Sequence, residues 1–260
     1  MKNTALITGG ASGLGLELAY VIAKDGYDLV LVDINPENLL KAKEEIESKY
    51  GVNALTLTKD LSQANISEEI MKDVGDKQIE ILVNNAGFGL FGSFHTTSWE
   101  RESQMLNLHV VTTTHLTKLV LKQMVARGSG KVLNLSSLAA FQPGPLMSLY
   151  YATKGYILSF SEAISNELKG TGVTVTALCP GPTKTSFQEV VSSGTSENKI
   201  TFNMANAKDV AVYGYKALKK GKPVAIPGTF NKFLATLPRF VPRKMAANIV
   251  RNIQEKNRKE

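Results

Sequence analysis

The sequence predicts an α/β fold in which a doubly wound, seven-stranded parallel sheet carries helices on both faces. Seven short apolar runs rich in β-branched residues recur along the chain, as buried strands do. They span residues 4–8, 29–33, 54–58, 79–84, 131–135, 174–178 and 223–226. Longer segments, such as 14–24, 36–50, 99–127 and 151–169, space their apolar residues three and four apart, as amphipathic helices do. Strands that alternate with helices are joined by right-handed crossovers, which give a parallel sheet.

One domain accounts for the whole chain. At 260 residues, with 43% hydrophobic and 20% charged residues, the composition is that of a globular protein. No internal repeat or low-complexity linker divides it. We therefore expect a single domain over residues 1–238, with a substrate loop at 182–205, and a basic extension of the same domain over residues 239–260.

The cysteine content and the first residues of the chain indicate the cellular compartment in which the protein is expected. Cys179 is the only cysteine, so the chain has neither an internal disulfide nor a cysteine cluster for zinc. The first apolar run leads directly into a glycine loop, which leaves no room for a secretory signal. No later segment resembles an uninterrupted membrane span. We expect a soluble, cytoplasmic protein.

The positive charge is concentrated at the carboxyl end. The formal net charge is +7, and residues 239–260 contribute seven Lys/Arg and two Asp/Glu, or +5. The preceding residues carry 23 positive and 21 negative side chains, and this small net charge is too low to attract a polyanion. We therefore expect no nucleic-acid partner.

A glycine loop joins the first predicted strand to the first predicted helix. It consists of Thr8-Gly9-Gly10-Ala11-Ser12-Gly13-Leu14-Gly15, with the spacing G-x-x-x-G-x-G. Glycines permit a tight turn and let backbone N–H groups approach a pyrophosphate at a helix N-terminus. A glycine turn at this position can also be purely structural, so the spacing alone leaves both interpretations open.

An acidic residue ends the second predicted strand. Asp33 lies 20 residues after Gly13, where a carboxylate accepts hydrogen bonds from an adenosine ribose and repels a 2′-phosphate. Its alternative role is to cap the next helix, but Asn35 followed by Pro36 is the better cap. Since no Arg or Lys follows Asp33 or the loop's first glycine, the pattern favours NAD over NADP.

Further motifs follow in order along the chain. They are Asp60-Leu61, Asn84-Asn85-Ala86-Gly87, Asn107, Ser137, the pair Tyr150-x-x-x-Lys154, and Pro180-Gly181 followed by Thr183 and Thr185. Together with the glycine loop, these motifs resemble the short-chain dehydrogenase/reductase family, and the resemblance runs from Thr4 to about Thr185. It implies a Rossmann-type oxidoreductase that uses NAD, or alternatively NADP.

The resemblance also implies a role for each of these residues. The cofactor-binding residues are Thr8, Gly9, Ser12, Gly13, Leu14, Gly15, Asp33, Asp60, Leu61, Asn85, Ala86, Gly87, Tyr150, Lys154, Pro180, Gly181, Thr183 and Thr185. The catalytic residues are Asn107, Ser137, Tyr150 and Lys154. Asn107 is expected to anchor a water that links Lys154 to solvent, although an asparagine there can also simply cap or kink its helix.

Tyr150 is the expected general acid/base. An alcohol must lose a proton, or an alkoxide gain one, as hydride moves. An ordinary phenol has a pKa of about 10, and the Lys154 cation on the same helical face lowers such a pKa by about 1–3. Ser137 donates a hydrogen bond to the reacting oxygen. Ser136 and Tyr151 are the open alternatives: the resemblance favours Ser137, and the i, i+4 spacing favours Tyr150.

Other polar residues are not expected to carry chemistry. His95, His109 and His115 form neither an i, i+4 pair nor an H-E-x-x-H helix, so we expect satisfied or exposed histidines and no metal site. No G-x-S-x-G elbow and no G-x-x-x-x-G-K-[ST] loop occurs. Cys179 is expected to be a buried structural thiol.

The expected substrate is a small hydrophobic ketone or secondary alcohol. Segments 88–99, 138–149 and 182–205 should frame the reacting centre. Their apolar residues are Phe88, Leu90, Phe91, Phe94, Phe141, Leu146, Met147 and Phe187. Ligand pockets and the undersides of lids are both apolar. The sequence therefore leaves open whether these side chains line a pocket or pack a lid against the core.

The carboxyl-terminal segment mixes aromatic and basic residues, as an anionic membrane surface would require. Phe230, Phe233, Leu234, Leu237 and Phe240 interleave with Lys232, Arg239, Arg243 and Lys244. Pro238 and Pro242 limit any continuous helix. The pattern favours an exposed extension, or one packed across the substrate mouth, over membrane attachment. The family resemblance also implies a homodimer or a homotetramer.

Three other functions stay open. The same motifs fit an NADP-dependent ketone or 3-oxoacyl reductase. A methyltransferase also places an acidic residue after its second strand, but it needs neither Tyr150 nor Lys154. A non-catalytic dinucleotide-sensing module would need only the cofactor residues.

Overall fold

Parallel strands form the central sheet. They are β1 (Thr4–Thr8), β2 (Asp28–Asp33), β3 (Ala54–Thr58), β4 (Ile79–Asn84), β5 (Gly130–Leu135), β6 (Val173–Leu178) and β9 (Val224–Ala225). Their order is β3-β2-β1-β4-β5-β6-β9, which confirms the predicted seven-stranded, doubly wound fold. The short strands β7 (Thr183–Lys184) and β8 (Ala205–Asn206) pair separately. The structure is a computed structural model and describes residues 3–185 and 204–257.

Helices connect the strands and cover the sheet. They are α1 (Gly13–Lys24), α2 (Pro36–Tyr50), α3 (Ile66–Val74), α4 (Trp99–Leu106), α5 (Thr113–Arg127), α6 (Ser148–Glu167), α7 (Ala207–Lys219), α8 (Thr229–Thr236) and α9 (Arg243–Asn257). Two 3₁₀ turns span Leu138–Phe141 and Leu237–Arg239. Within residues 3–185 and 204–257, no helix combines the length and the apolar character needed to cross a bilayer.

The core lies on both faces of the sheet. On one face, α1, α2 and α7 pack against strand residues that include Ala5 and Ile7. On the other face, α3 and α5 pack against residues that include Leu6 and Val30. All five residues of β1 are buried. Because a parallel sheet is covered on both sides, its strands appear in the sequence as continuous apolar runs, and this is the pattern that made them recognisable.

Helix α2 has the ends that its sequence predicts. The Asn35 side chain accepts a hydrogen bond from the Asn38 amide at 2.9 Å, and Pro36 occupies the first helical position. The helix ends at Gly51, which has a left-handed φ of 64°. Because Asn35 caps the helix, the carboxylate of Asp33 is not needed for that role.

A wide turn interrupts the segment that the sequence predicts as one helix over residues 99–127. Between α4 and α5, residues Asn107–Thr112 form a π-helical turn. The Thr113 hydroxyl donates to the Leu108 carbonyl at 3.1 Å, and the Thr117 hydroxyl donates to the Thr113 carbonyl at 2.6 Å. Such side-chain bonds to backbone carbonyls bend and open helices. The added residue in the turn changes which side chains face inward.

The order of the strands determines where a ligand can bind. The chain runs outward from β1 through β2 to β3, and then returns to place β4 on the other side of β1. At such a switch point the loops after adjacent strands separate and leave a crevice at the carboxyl ends of the strands. The predicted functional residues follow β1, β4, β5 and β6, so this edge of the sheet holds the candidate site.

Candidate functional site

A cleft of about 690 Å³ opens at the carboxyl ends of the strands. Most of the predicted site residues line it. They are Gly9, Ser12, Gly13, Leu14, Asp33, Asp60, Leu61, Asn85, Ala86, Gly87, Ser137, Tyr150, Lys154, Pro180, Gly181, Thr183 and Thr185. Thr8 and Gly15, at the two ends of the glycine loop, are not among the residues that line the cleft. Asn107 is not brought to the cleft.

The glycine loop is shaped by close backbone approaches. Gly9 and Gly13 have positive φ angles of 63° and 53°, which favour glycine. A Cβ atom on Gly15 would overlap the Gly9 carbonyl oxygen, so the first turn of α1 lies directly against the loop. A Cβ atom on Gly13 would lie 3.2 Å from the Cβ of Thr185, which places the segment after β6 over the loop.

Two polar side chains hold the glycine loop against the turn that follows β4. The Thr8 hydroxyl accepts hydrogen bonds from the amides of Asn85 and Ala86 at 3.0 and 3.1 Å. The Asn85 side-chain amide donates to the carbonyls of Thr8 and Gly9, each at 3.0 Å. Thr8 therefore acts beneath the cleft surface, and Asn85 fixes the two loops in one arrangement.

The carboxylate of Asp33 is held at the edge of the glycine loop. It accepts hydrogen bonds from the amides of Ala11 at 3.1 Å and Asn35 at 3.2 Å. Lys59 also lines the cleft, but its ammonium group forms ion pairs with Asp73 at 3.0 Å and with Glu69 at 3.3 Å. Those two carboxylates neutralise Lys59, so it is not an open cation for a phosphate beside Asp33.

Asp60 and Leu61 form another part of the cleft wall. The Asp60 carboxylate accepts hydrogen bonds from the amide and the hydroxyl of Ser62, at 2.9 and 2.7 Å, and from the Gln63 side chain at 2.7 Å. The Leu61 carbonyl accepts a hydrogen bond from the Thr112 hydroxyl at 2.8 Å. These contacts fix the turn after β3, so the wall it forms is preorganised.

The two serines after β5 have different partners. The buried Ser136 hydroxyl donates to the Lys154 carbonyl at 2.8 Å, and this bond joins the end of β5 to α6. The Ser137 hydroxyl accepts a hydrogen bond from the Ala139 amide at 3.1 Å. Accepting that bond leaves the hydroxyl proton of Ser137 able to serve a ligand in the cleft. Both serines line the cleft, and the choice of Ser137 over Ser136 stays a prediction.

Tyr150 and Lys154 lie together in the cleft, one turn apart on α6. The ammonium nitrogen of Lys154 lies 5.7 Å from the centre of the Tyr150 ring. It also donates to the Leu135 carbonyl at 2.8 Å, and the side chain is only 3% exposed. Burial lowers the pKa of Lys154 from its ordinary value to about 8. The pair thus places a cation of unusual acidity beside a phenol.

Tyr151 has a different partner. Its hydroxyl accepts a hydrogen bond from the Gln254 side chain at 3.0 Å, and Gln254 belongs to α9. Its ring fills the space where a side chain on Gly144 would lie. Tyr151 therefore connects the carboxyl-terminal helix to the cleft wall, a contact between residues so far apart in sequence that local patterns cannot reveal it.

His109, which the sequence analysis expected to be satisfied or exposed, is buried and has a hydrogen-bond partner for each ring nitrogen. The Asn107 side chain is exposed, whereas His109 is fully buried and its Nε2 atom accepts a hydrogen bond from the Phe88 amide at 3.3 Å. A Cβ atom on Gly87 would lie 2.6 Å from that nitrogen, so the ring packs directly on the turn after β4. The ring centres of His109 and Tyr150 are 6.1 Å apart. The expected role of Asn107, to anchor a water that links Lys154 to solvent, stays a prediction, and the π-helical turn begins at this residue.

The apolar wall of the cleft differs from the predicted set. Phe88 and Met147 line the cleft, and Leu108, Leu138 and Ala139 join them. Leu90, Phe91, Phe94, Phe141 and Leu146 are not part of the described lining, and Phe187 lies outside the described residues. Arg101, Gln104 and Gln254 also line the cleft and had no motif to mark them.

Cys179 is enclosed behind the cleft. It is completely buried, and burial raises the pKa of its thiol to about 12. In the described parts of the chain, no three His, Cys, Asp or Glu residues are grouped as a metal site would require.

The fold and the cleft define the class of the protein. A parallel sheet whose strand order reverses beside a glycine loop is suited to binding a dinucleotide. A tyrosine and a buried lysine at the same crevice are suited to proton transfer. Together they define an NAD(P)-dependent oxidoreductase.

A sequence profile of the family described as short chain dehydrogenase matches residues 3–196. The chain therefore belongs to the short-chain dehydrogenase family.

Similar proteins have diverse substrates. The chain is 32% identical to the 17-beta-hydroxysteroid dehydrogenase type 3 of Mus musculus over 82% of this chain and 70% of that protein. It is 34% identical to a diacetyl reductase of Staphylococcus epidermidis over 71% of this chain and 73% of that protein. A short-chain dehydrogenase from Sphingobium yanoikuyae, solved with NADPH, superposes with a TM-score of 0.82 at 26% identity, covering 99% of this chain and 96% of that one.

Proposed function

We propose that this protein transfers a hydride between NAD(H) and a hydrophobic ketone or secondary alcohol, with Tyr150 as the general acid/base. The observation that carries the proposal is the buried ammonium of Lys154, which lies 5.7 Å from the Tyr150 ring. Burying a charge costs free energy, and the hydrogen bond from Lys154 to the Leu135 carbonyl offsets only part of that cost. Here its position beside a cleft-lining phenol gives it a function.

The residues around the cleft fit a nicotinamide dinucleotide. The glycine loop turns tightly at Gly9 and Gly13, which have positive φ angles, and its backbone amides would bind the pyrophosphate. Asp33 would accept hydrogen bonds from the adenosine ribose. The remaining holding residues are Asp60 and Leu61 at the adenine end, and Ala86, Gly87, Pro180, Gly181, Thr183 and Thr185 toward the nicotinamide end. When bound, the dinucleotide supplies or accepts the hydride.

The protein's own groups handle the proton. In the reductive direction the Tyr150 hydroxyl donates a proton to the substrate oxygen, and in the oxidative direction the phenolate accepts the proton of the alcohol. The Lys154 cation stabilises the phenolate by its charge. The Ser137 hydroxyl donates a hydrogen bond to the same substrate oxygen and stabilises the charge that develops there.

Asp33 supports NAD as the preferred cofactor. A 2′-phosphate would meet the Asp33 carboxylate, and Lys59 is already paired with Asp73 and Glu69. The leading alternative is an NADP-dependent ketone or 3-oxoacyl reductase. The similar protein from Sphingobium yanoikuyae, which was solved with NADPH, supports this alternative. Cofactor preference is therefore tested separately from catalysis.

An apolar substrate is supported by the cleft wall. Phe88, Leu138 and Met147 give the cleft an apolar side next to Ser137 and Tyr150. The named substrates of the relatives, a hydroxysteroid and diacetyl, share a ketone or alcohol carbon but differ greatly in size. The shared chemistry is what we carry over to this chain.

We also expect a homodimer or a homotetramer. Val111, Val125 and Tyr156 are exposed apolar side chains along α5, α6 and the π-helical turn. Such a surface is suited to a second copy of the chain. Analytical ultracentrifugation of the wild-type protein tests this expectation, and a monomer across the measured concentrations contradicts it.

Two tyrosine variants test the catalytic proposal. Tyr150→Phe should lower turnover of a panel of ketones and alcohols by about 10³-fold while dinucleotide binding is retained. Tyr151→Phe is the matched control, because its hydroxyl is bound to Gln254 and should leave most activity. Turnover is followed by the absorbance of the reduced nicotinamide. The reverse pattern would overturn the assignment, and dinucleotide binding with no turnover of any substrate by the wild type would favour a sensing module.

A further inference from the structure

Helix α8 turns its apolar face toward solvent. Phe230, Phe233, Leu234 and Leu237 follow the i, i+3, i+4, i+7 pattern that places side chains on one face of a helix. Their exposed fractions are 59%, 60%, 36% and 39%, and only Ala235 of this helix is buried. Phe240, just after the 3₁₀ turn, is 80% exposed. A helix that packs on a core buries its apolar face, so α8 has a surface prepared for another partner.

The stretch of sequence that contains α8 has basic residues and no acidic residue. From residue 210 to residue 254 the sequence contains nine Lys/Arg and no Asp/Glu. Four of these cations, Lys232, Arg239, Arg243 and Lys244, flank the exposed apolar residues and are themselves exposed. Exposed phenylalanine and leucine bordered by lysine and arginine are typical of helices that lie in a membrane interface.

We propose that the surface formed by Phe230, Phe233, Leu234, Leu237, Phe240 and their flanking cations binds an anionic lipid bilayer. The apolar side chains would enter the acyl boundary, and the cations would remain at the headgroups. The charge argues against a second copy as the occupant. A twofold interface would place this positive surface against itself, and like charges across an interface disfavour binding.

The proposed lipid-binding surface around α8, called the docking surface below, is connected to the cleft through α9. Ala246, Val250 and Gln254 form the buried side of α9, and Gln254 both lines the cleft and donates to the Tyr151 hydroxyl at 3.0 Å. Only residues 237–242 separate α8 from α9 in sequence. A bilayer held by α8 would therefore lie near a wall of the cleft, so an apolar substrate has a short route from the lipid phase.

Vesicle cosedimentation of the full chain tests the docking surface. The wild type should sediment with phosphatidylglycerol-containing vesicles at low salt and not with pure phosphatidylcholine vesicles. The variant Phe230→Ser/Phe233→Ser should lose binding by at least about tenfold. The variant Lys232→Glu/Arg243→Glu should also lose at least about tenfold, since each cation near an anionic surface adds about fivefold.

A matched pair elsewhere controls for changes in overall charge and polarity. Leu40 and Lys41 are exposed on α2, so Leu40→Ser/Lys41→Glu should sediment like the wild type. Three results overturn the proposal: no sedimentation of the wild type at low salt, sedimentation unchanged by the phenylalanine substitutions, or a wild-type oligomer in light scattering that those substitutions dissociate. Sedimentation does not require turnover, so this test is independent of the proposed reaction.

Discussion

The Nδ1 atom of His109 lies 2.9 Å from the Oγ1 atom of Thr153, and this contact joins the π-helical turn to helix α6. Because Nε2 accepts the Phe88 amide proton, Nδ1 carries the ring proton and donates it to Thr153. The Thr153 hydroxyl in turn donates to the Tyr150 carbonyl at 2.9 Å. Burial, reinforced by the Lys154 charge, holds the pKa of His109 well below its ordinary value, so the ring stays neutral. We therefore expect His109 and Thr153 to act as positioning residues for Tyr150.

Removing the Thr153 hydroxyl should disturb the position of Tyr150. Thr153→Val keeps the shape of the side chain and deletes the bridge, so we expect kcat to fall about tenfold or more while KM changes little. Thr153→Ser retains the hydroxyl and should recover most of kcat. Equal losses in the two variants, measured by steady-state kinetics alongside their thermal stability, would indicate a packing role only.

A charge reversal at Asp33 should change the cofactor preference. Asp33→Arg removes the carboxylate and offers a cation to a 2′-phosphate, so the ratio of kcat/KM for NAD to that for NADP should fall at least about tenfold. Glu37→Arg makes the same change of charge on the exposed first turn of α2 and serves as the control. Unchanged selectivity in the Asp33 variant would remove the assignment of the ribose-binding residue.

The two serines after β5 should differ in function. Ser137→Ala removes a hydrogen-bond donor from the cleft and should lower kcat by about 10²-fold. Ser136→Ala removes a buried bond to the Lys154 carbonyl, so we expect a loss of about 1 kcal/mol in the free energy of unfolding and a smaller loss of kcat. Kinetics and chemical denaturation of both variants check the contrast, and a larger kinetic effect at Ser136 contradicts it.

The buried charge of Lys154 should lower stability at neutral pH. Its folded pKa of about 8 lies below the unfolded value, so below pH 8 the folded protein is destabilised by the buried charge. As the pH increases from about 8 toward 10, the folded state loses this proton before the unfolded state does, and stability rises. Lys154→Met should stabilise the dinucleotide-free protein at about pH 7 by about 2 kcal/mol, and the gain should shrink at higher pH. Denaturant titrations at two pH values measure this effect. A variant less stable than the wild type at neutral pH would show that the ammonium is well compensated.

The strands were predictable because burial on both faces leaves a continuous apolar run. The predicted bounds of β1, β3 and β4 agree with the structure to the residue. The short strands β7 and β8, of two residues each, carry no such run and were not predicted. Local turn chemistry was also readable, since Asn35 and Pro36 begin α2 as expected.

The interior of the site was less predictable where helix phase or distant contacts decide it. The π-helical turn shifts the side chains after Leu106, so the sequence did not show that His109 faces inward. The bond between Tyr151 and Gln254 joins residues 103 positions apart. Three-dimensional packing determines such contacts, and no residue spacing records them.

Because the thiol of Cys179 is enclosed, thiol-specific reagents should leave the wild-type chain unlabelled. Maleimides and nitroxide reagents react with accessible thiolates, and at neutral pH this sulfur is both protonated and shielded. Phe240→Cys would therefore introduce a single reactive handle at the most exposed aromatic position of the carboxyl-terminal helices. A fluorophore or spin label attached there could report immersion depth without any background mutation.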